Sequence, residues 1–258
     1  MTVTFYKYQG TGNDFIIIDN RTLNLQLNKK IIERLCSRRF GIGADGLMLL
    51  QNKEGYDFEM VYYNADASQS MCGNGGRCMV QFAANMGIRK ENYHFLAIDG
   101  EHDATMSDKG WINLKMKNVF KIDKYNTDQI VDTGSPHYIK IVKDAQAVDV
   151  FNKGKDIRYN KDFSEKGINV NFVQKIDDDS IFVRTYERGV ENETLSCGTG
   201  VTASAIVFAH NDRGFNRVEV ETPGGHLAVE YDKTGDEKFE NIWLCGPATF
   251  VFKGEAEI

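Results

Sequence analysis

Two short stretches carry the same grouping of a thiol and glycines: "SMCGNGGRC" at residues 70–78 and "LSCGTGVTAS" at residues 195–204. In each, a cysteine precedes Gly-x-Gly and then a run with helical spacing. After Cys72, the residues Met79, Phe82, Ala83 and Met86 recur at three- and four-residue intervals, and Gly87 is placed to end the helix. After Cys197, "GVTASAIVFAHN" is apolar nearly all round, the pattern of a helix covered on every side, with a glycine stop at Gly214. Core packing requires neither the repeated grouping nor its placement at two helix starts. The chain therefore reads as two related halves.

The rest of the pattern fits an α+β chain rich in strands. "VTFYK" and "FIIID" alternate with the turn "QGTGND", and "LMLLQ", "FEMVYYN", "WINLKMK", "HYIKIV", "DSIFVRTYE", "RVEVET", "LAVEY" and "IWLCG" are further strand candidates. "NKKIIERLCSRRF" sets Ile31, Ile32, Leu35 and Cys36 on one helical face. The expectation is two pseudo-symmetric lobes, each a curved, mainly antiparallel sheet or barrel around a central helix, with the active site in the cleft between them. The boundaries expected are 1–116 for the first lobe and 117–246 for the second, with a tail over 247–258 returning to the first.

Composition narrows the partners. A net charge of −6 argues against a nucleic-acid backbone as ligand. The N-terminus lacks the pattern of a secretory signal, no apolar run is long enough to span a bilayer, and the five cysteines are an odd number. These features point to a cytoplasmic protein acting on a small molecule, with no membrane partner.

Two tempting motifs fail. "GIGADG" at residues 41–46 has the glycine spacing of a dinucleotide site, but a helix precedes it and a strand follows, the reverse of what such a site needs. Cys72 and Cys78 lack the further ligands of a zinc set. Cys36, Cys78 and Cys245 read as small buried hydrophobes. His137, in "GSPHYI", has a loop context that suggests a site, but taken alone it reads better as a structural hydrogen-bonding residue.

A helix N-terminus carries unpaired N–H groups and partial positive charge, and a cysteine there has a lowered pKa. The glycines behind it let backbone amides approach a ligand. Two such thiols meeting one ligand would share a proton, since two adjacent thiolates repel. One thiolate and one thiol suit removal of a proton from one face of a carbon and its return to the other. The amides of both helix starts would stabilise charge on a neighbouring carboxylate.

"QGTGNDFIIID", "GIGADGLMLL", "YNADASQSMCGNGGRC", "INVNFVQ", "YERGVENETLSCGTG", "ETPGGHL" and "GPATFVF" together resemble the diaminopimelate epimerase family, in order and over essentially the whole chain. The resemblance implies interconversion of LL- and meso-diaminopimelate without pyridoxal phosphate or metal, for lysine and peptidoglycan synthesis. It implies Cys72 and Cys197 as the acid–base pair, with Cys72 the donor in one direction. Gly73, Asn74, Gly198 and Thr199 would hold the reacting carboxylate, and Asn13 would contact the same end. Asn64, Asn169, Glu187 and Arg188 would hold the distant amino-acid end. Ser135, His137 and Gly46 are implied as supporting residues, although Ser135 stands where asparagine is common and Gly46 where many members carry glutamine. "GVENET" is one residue longer than the common form, and Phe252 stands where some relatives use a tyrosine in a homodimer. Proline-type racemases resemble Cys-Gly-His at the first thiol and Asp-Arg-Ser-Pro before the second. Neither is present here.

Overall fold

The computed structural model describes residues 1–107 and 109–258, and the chain divides into two compact units, Met1–Leu114 with Gly246–Ile258, and Lys115–Cys245. The first begins with β1 (Thr2–Gly10) and β2 (Asn13–Asp19), an antiparallel pair turned at Thr11 and Gly12, whose φ values are 49° and 83°. There follow α1 (Lys29–Cys36), β3 (Gly46–Gln51), β4 (Phe58–Asn64), α2 (Gly73–Asn85), β5 (Asn92–Ala97), β6 (Gly100–Met106) and β7 (Ile112–Lys115). β2 and β3 pair in parallel across α1, β3 and β4 are antiparallel, and β4 and β5 pair in parallel across α2.

The second unit repeats this order. It contains β8 (Asp123–Tyr125), β9 (Asp128–Asp132), β10 (Pro136–Ile141), α3 (Val150–Arg158), β11 (Asn169–Lys175), β12 (Ser180–Glu187), β13 (Asn192–Thr194), α4 (Gly198–Val207), β14 (Gly214–Thr222), β15 (Gly225–Gly235) and β16 (Lys238–Gly246). β10 and β11 are parallel across α3, β11 and β12 antiparallel, and β12 and β14 parallel across α4. The last strand, β17 (Thr249–Glu257), pairs antiparallel with β1, from Thr2 opposite Glu257 to Gln9 opposite Thr249. The strands do not close into a barrel.

Each cysteine-led helix is the core of its unit. α2 packs against β1, β2, β3, β4 and β17, and α4 against β9, β10, β11, β12, β14 and β15. Within α4, only Thr199 and Val207 escape full burial. Val201, Ala203, Ala205 and Ile206 meet Val131, Ile139, Val173, Val183, Val218, Val220, Val229 and Leu244 in one apolar cluster.

Three helix boundaries differ from the sequence expectation. α1 stops at Cys36 because the chain folds back on its last turn, with the amides of Ile42 and Gly43 donating to the Leu35 carbonyl and that of Ala44 to Cys36. α4 ends at Val207, well before Gly214. There the buried Asn216 side chain ties the loop, donating to the Asn211 and Gly214 carbonyls and accepting from the Asn211 amide. α3 had no apolar stripe to announce it, and it starts on Asp149, whose carboxylate accepts from the Asn152 amide at 3.1 Å.

Because α4 is enclosed on every side, shortening one of its side chains leaves a cavity that the sheet cannot collapse to fill. Ile206→Ala is expected to lower unfolding free energy by about 2–5 kcal/mol. Urea denaturation at unchanged slope measures it, and a loss below about 1 kcal/mol would contradict this packing.

Candidate active site

Cys72 is the residue that begins α2, with φ −130° and ψ 118°, and Cys197 begins α4 with φ −116° and ψ 110°. The Cys72 carbonyl accepts from the Gly76 amide at 2.8 Å, and the Cys197 carbonyl from the Val201 amide at 2.9 Å. Neither sulfur caps its own helix. Both residues therefore lead into their helices from extended backbone. The first-turn N–H groups, which no intrahelical carbonyl can reach, belong to Gly73, Asn74 and Gly75 in one unit and to Gly198, Thr199 and Gly200 in the other.

In the first unit Cys72 lies in a line of hydrogen bonds whose direction is fixed. Asn13 Nδ2 donates to Asp45 Oδ2 at 2.6 Å, so the amide oxygen of Asn13 turns the other way. That oxygen accepts from Cys72 Sγ at 3.4 Å and from Asn74 Nδ2 at 3.5 Å. Asn74 Oδ1 in turn accepts from the fully buried Arg77 at 2.9 Å. Asp45 is held by Arg38 at 2.7 Å, and Arg38 also holds Asp14, which pairs with Lys7 at 2.7 Å. Burial pushes the Asp14 carboxyl up, but the hydrogen bonds from Arg38 and Lys7 outweigh it and hold the group far below the usual carboxylate range. Asp45 and Arg77 were not singled out from the sequence. Their signal was a carboxylate inside a glycine turn and a cation inside a helix otherwise apolar on that face.

In the second unit the Thr199 hydroxyl stands between Cys197 and His137, 3.5 Å from Cys197 Sγ and 2.8 Å from His137 Nε2. His137 is fully buried, and its Nδ1 lies 3.0 Å from Asn171 Nδ2. Burial, joined by the nearby Arg188 charge, lowers its pKa from 6.5 to about 3, against the opposing Asn171 hydrogen bond. It is a neutral imidazole at physiological pH. Asn171, inside the motif "INVNFVQ", was also missed from the sequence, where its signal is a polar side chain in a strand of buried residues.

A second cluster joins Asn169, Ser135 and Arg188. Asn169 Nδ2 donates to Ser135 Oγ at 2.9 Å and its Oδ1 accepts from the Arg188 amide at 2.9 Å. The Arg188 guanidinium is exposed, donates to the Lys166 carbonyl at 3.1 Å and to Ser135 Oγ at 3.3 Å, and makes no ion pair among the described residues. Glu187 accepts from Thr194 Oγ1 at 2.9 Å. In the first unit, Asn64 Nδ2 donates to Ser68 Oγ and Ser70 Oγ, at 3.0 and 3.2 Å.

Gly46 contributes no side-chain contact and has no room for one. A Cβ there would lie 2.3 Å from the Tyr62 ring and 2.7 Å from its hydroxyl. The space a glutamine would occupy is filled by Tyr62. Of the five cysteines, Cys72 is partly exposed, while Cys36, Cys78, Cys197 and Cys245 are buried, Cys197 at 9% exposure at the start of α4. Burial pushes Cys36 up to about 11 and Cys78 up to about 12.

Among solved structures, a phenazine biosynthesis protein of the PhzF family from Bacillus anthracis superposes with a TM-score of 0.80 over 100% of both chains at 14% identity. A hydroxyproline epimerase from Agrobacterium vitis, with bound trans-4-hydroxy-L-proline, gives a TM-score of 0.68 over 98% of this chain and 92% of its own at 11% identity. At these identities the likenesses show the fold alone, one shared with proteins of the racemase and epimerase type. The sequence profile of diaminopimelate epimerase matches residues 5–122 and 129–251. Diaminopimelate epimerases from Flavobacterium psychrophilum and Chlorobaculum tepidum are 49% and 41% identical, over 96% and 95% of this chain and 98% of each relative. The chain belongs to the diaminopimelate epimerase family.

The neutral His137 has a measurable consequence for the fold. The unfolded chain takes up a proton near pH 6.5 that the folded chain refuses until about pH 3. The folded pKa is depressed, so this contribution is complete above pH 6.5 and is lost as pH falls through that window, at no more than about 1.4 kcal/mol per pH unit. His137→Gln is expected to lose about 2 kcal/mol less than the parent between pH 7 and 5 in urea titrations. Equal acid sensitivity in the two proteins would contradict a buried neutral imidazole.

Proposed function

We propose that the protein inverts one α-carbon of diaminopimelate, interconverting the LL and meso isomers, by a two-base reaction in which Cys72 and Cys197 exchange the roles of acid and base. The observation that carries this reading is the repeated helix start: two cysteines with nearly the same backbone angles, each followed by glycine-rich first-turn amides. In one direction the Cys197 thiolate takes the α-hydrogen as a proton and the Cys72 thiol delivers its own to the opposite face. In the other direction the roles reverse, and atoms and charge balance without any redox partner.

Removing a proton beside a carboxylate places negative charge on that carboxylate. The amides of Gly73 and Asn74 and those of Gly198 and Thr199 are the donors that stabilise it, where the helix dipoles favour an anion. Asn13, held by Asp45, keeps its oxygen at the reacting end. At the distant end the exposed guanidinium of Arg188 takes the second carboxylate, while Glu187 and the oxygens of Asn64 and Asn169 accept from the second ammonium. Proline has no such second end, which disfavours a proline-type racemase reading. The product serves lysine and peptidoglycan precursor synthesis.

Two further elements belong to this reading. The compartment is the cytoplasm, supported by the odd cysteine count and by thiols whose chemistry needs reducing conditions. Among the described residues, no helix is long and apolar enough to cross a membrane. The assembly is a homodimer, supported by the consecutive exposed residues Phe250, Val251 and Phe252 on β17.

The test is incubation of reduced protein with LL-diaminopimelate in deuterated water, with no added cofactor and with proline alongside. Deuterium is expected at the inverted α-carbon of diaminopimelate and not in proline. Cys72→Ala and Cys197→Ala are each expected to lower turnover by at least about 10²–10⁴-fold with the fold retained. Absence of exchange, or near-normal turnover in either variant, would defeat the reading.

A further inference from the structure

Around Cys197 the hydrogen bonds form a chain with a defined sense. Asn171 is fully buried on β11. Its Oδ1 accepts from Thr185 Oγ1 at 2.9 Å, and its Nδ2 lies 3.2 Å from the Tyr138 carbonyl. A carbonyl can only accept, so the amide nitrogen must face it. The second N–H of the same nitrogen then points at His137 Nδ1, 3.0 Å away, which must accept. In a neutral imidazole the proton is therefore on Nε2, where it donates to Thr199 Oγ1 at 2.8 Å. With one lone pair engaged by His137, the Thr199 hydroxyl has its own proton for Cys197 Sγ at 3.5 Å.

Cys72 meets the opposite polarity. The atom of Asn13 it touches is an amide oxygen, held in that sense because the amide nitrogen donates to Asp45. An amide oxygen has no proton to give, so this contact favours the protonated thiol.

We infer that Asn171 is a positioning residue for the two-thiol reaction: by holding His137 as its Nε2–H tautomer it aims the Thr199 hydroxyl proton at Cys197, which makes Cys197 the resting thiolate and leaves Cys72, facing the Asn13 oxygen, as the resting thiol. This assignment rests on the function proposed above for the pair. The ionisable groups around the chain are His137 on β10, and Glu187 and Arg188 at the end of β12; Asn169, Asn171 and Thr185 on β11 and β12 are neutral. Arg188 acts on His137 through its charge and helps keep it neutral. Glu187 takes the Thr194 hydroxyl. Gly200 belongs to the same device, since a Cβ there would lie 2.3 Å from Asn171 Oδ1 and 3.2 Å from His137 Nδ1. Its bare backbone lets α4 begin directly over the pair.

The test reads each thiol separately. Reduced, substrate-free protein is treated with iodoacetamide across pH 5–9, and the peptides holding Cys72 and Cys197 are quantified by mass spectrometry. In the parent, Cys197 is expected to react first at low pH. Asn171→Asp is close in shape, but its carboxylate can only accept, so it draws a proton onto His137 Nδ1, and the ring in its neutral form then offers Nε2 as an acceptor for the Thr199 hydroxyl. That pulls the proton away from Cys197. Asn171→Leu removes the donor without adding charge.

Both variants, and Thr199→Val, are expected to slow Cys197 alkylation at pH 7 by about tenfold and raise its midpoint by about one pH unit. The Cys72 profile should stay in place, and Thr199→Ser should behave as the parent. Combining Asn171→Asp with Thr199→Val should give no more than either alone, because both break one chain. A merely structural role for Asn171 would move melting temperature and leave the Cys197 midpoint where it was, which would overturn the assignment. So would preferential low-pH alkylation of Cys72 in the parent. If Asn171→Leu does not fold, the Asp and Val variants decide alone. Because alkylation needs no turnover, a failed deuterium exchange would reject the proposed reaction, whereas an unmoved Cys197 midpoint would reject only the role of Asn171.

Discussion

Each unit holds a cysteine-led helix packed among its strands, α4 buried along nearly its whole length and α2 buried except at Gly73, Gln81 and Asn85. An enclosed helix must satisfy its first-turn N–H groups from outside itself, and here the residue at that end is a cysteine whose side chain does not supply the cap. The burial that stabilises α2 and α4 is also what fixes the positions of their first turns, since a close-packed helix cannot readily slide or tilt to accommodate a misplaced group. Rigidity of the site follows from packing of the core.

The two helix starts are alike in backbone and unlike in surroundings. Cys72 is joined to an asparagine whose sense is set by a carboxylate, and Cys197 to a threonine whose sense is set by a histidine and a second asparagine. An inverting reaction needs one base and one acid at a given moment, so chemically identical environments would leave the pair without a preferred resting state. The repeated framework supplies equivalent positions, and the neighbouring polar residues distinguish them. The cost is two buried polar groups, Asn171 and His137, both kept acceptable by hydrogen bonds.

Much of this was legible in the residues. Alternation in "DSIFVRTYE" and the continuous apolar character of "GVTASAIV" announced a strand and an enclosed helix, and both are present at β12 and α4. The mainly antiparallel α+β class followed from the number of short strands, and the family from long motifs centred on the cysteines. Helix ends were read less well, because Asn216 and the chain reversal after Cys36 act through hydrogen bonds that local composition does not display. α3 was invisible for a related reason: a short helix with a glycine at its centre lacks periodicity, and it is held by packing against β11 and β12. Gly46 could be read only as a departure from the family pattern; the Tyr62 ring beside it explains why a larger side chain has no space.

By itself the sequence determined where the two cysteine-led helices begin, because thiol, glycine and apolar spacing act within a few residues of one another. It also determined the family, since long ordered motifs carry that information without coordinates. Only the tertiary structure decided the polarity of each thiol's surroundings. Asp45 reaches Asn13 from 32 positions along the chain, and Asn171 reaches His137 from 34. The sense of those hydrogen bonds depends on which partner can only accept, and that is a property of neighbours in space.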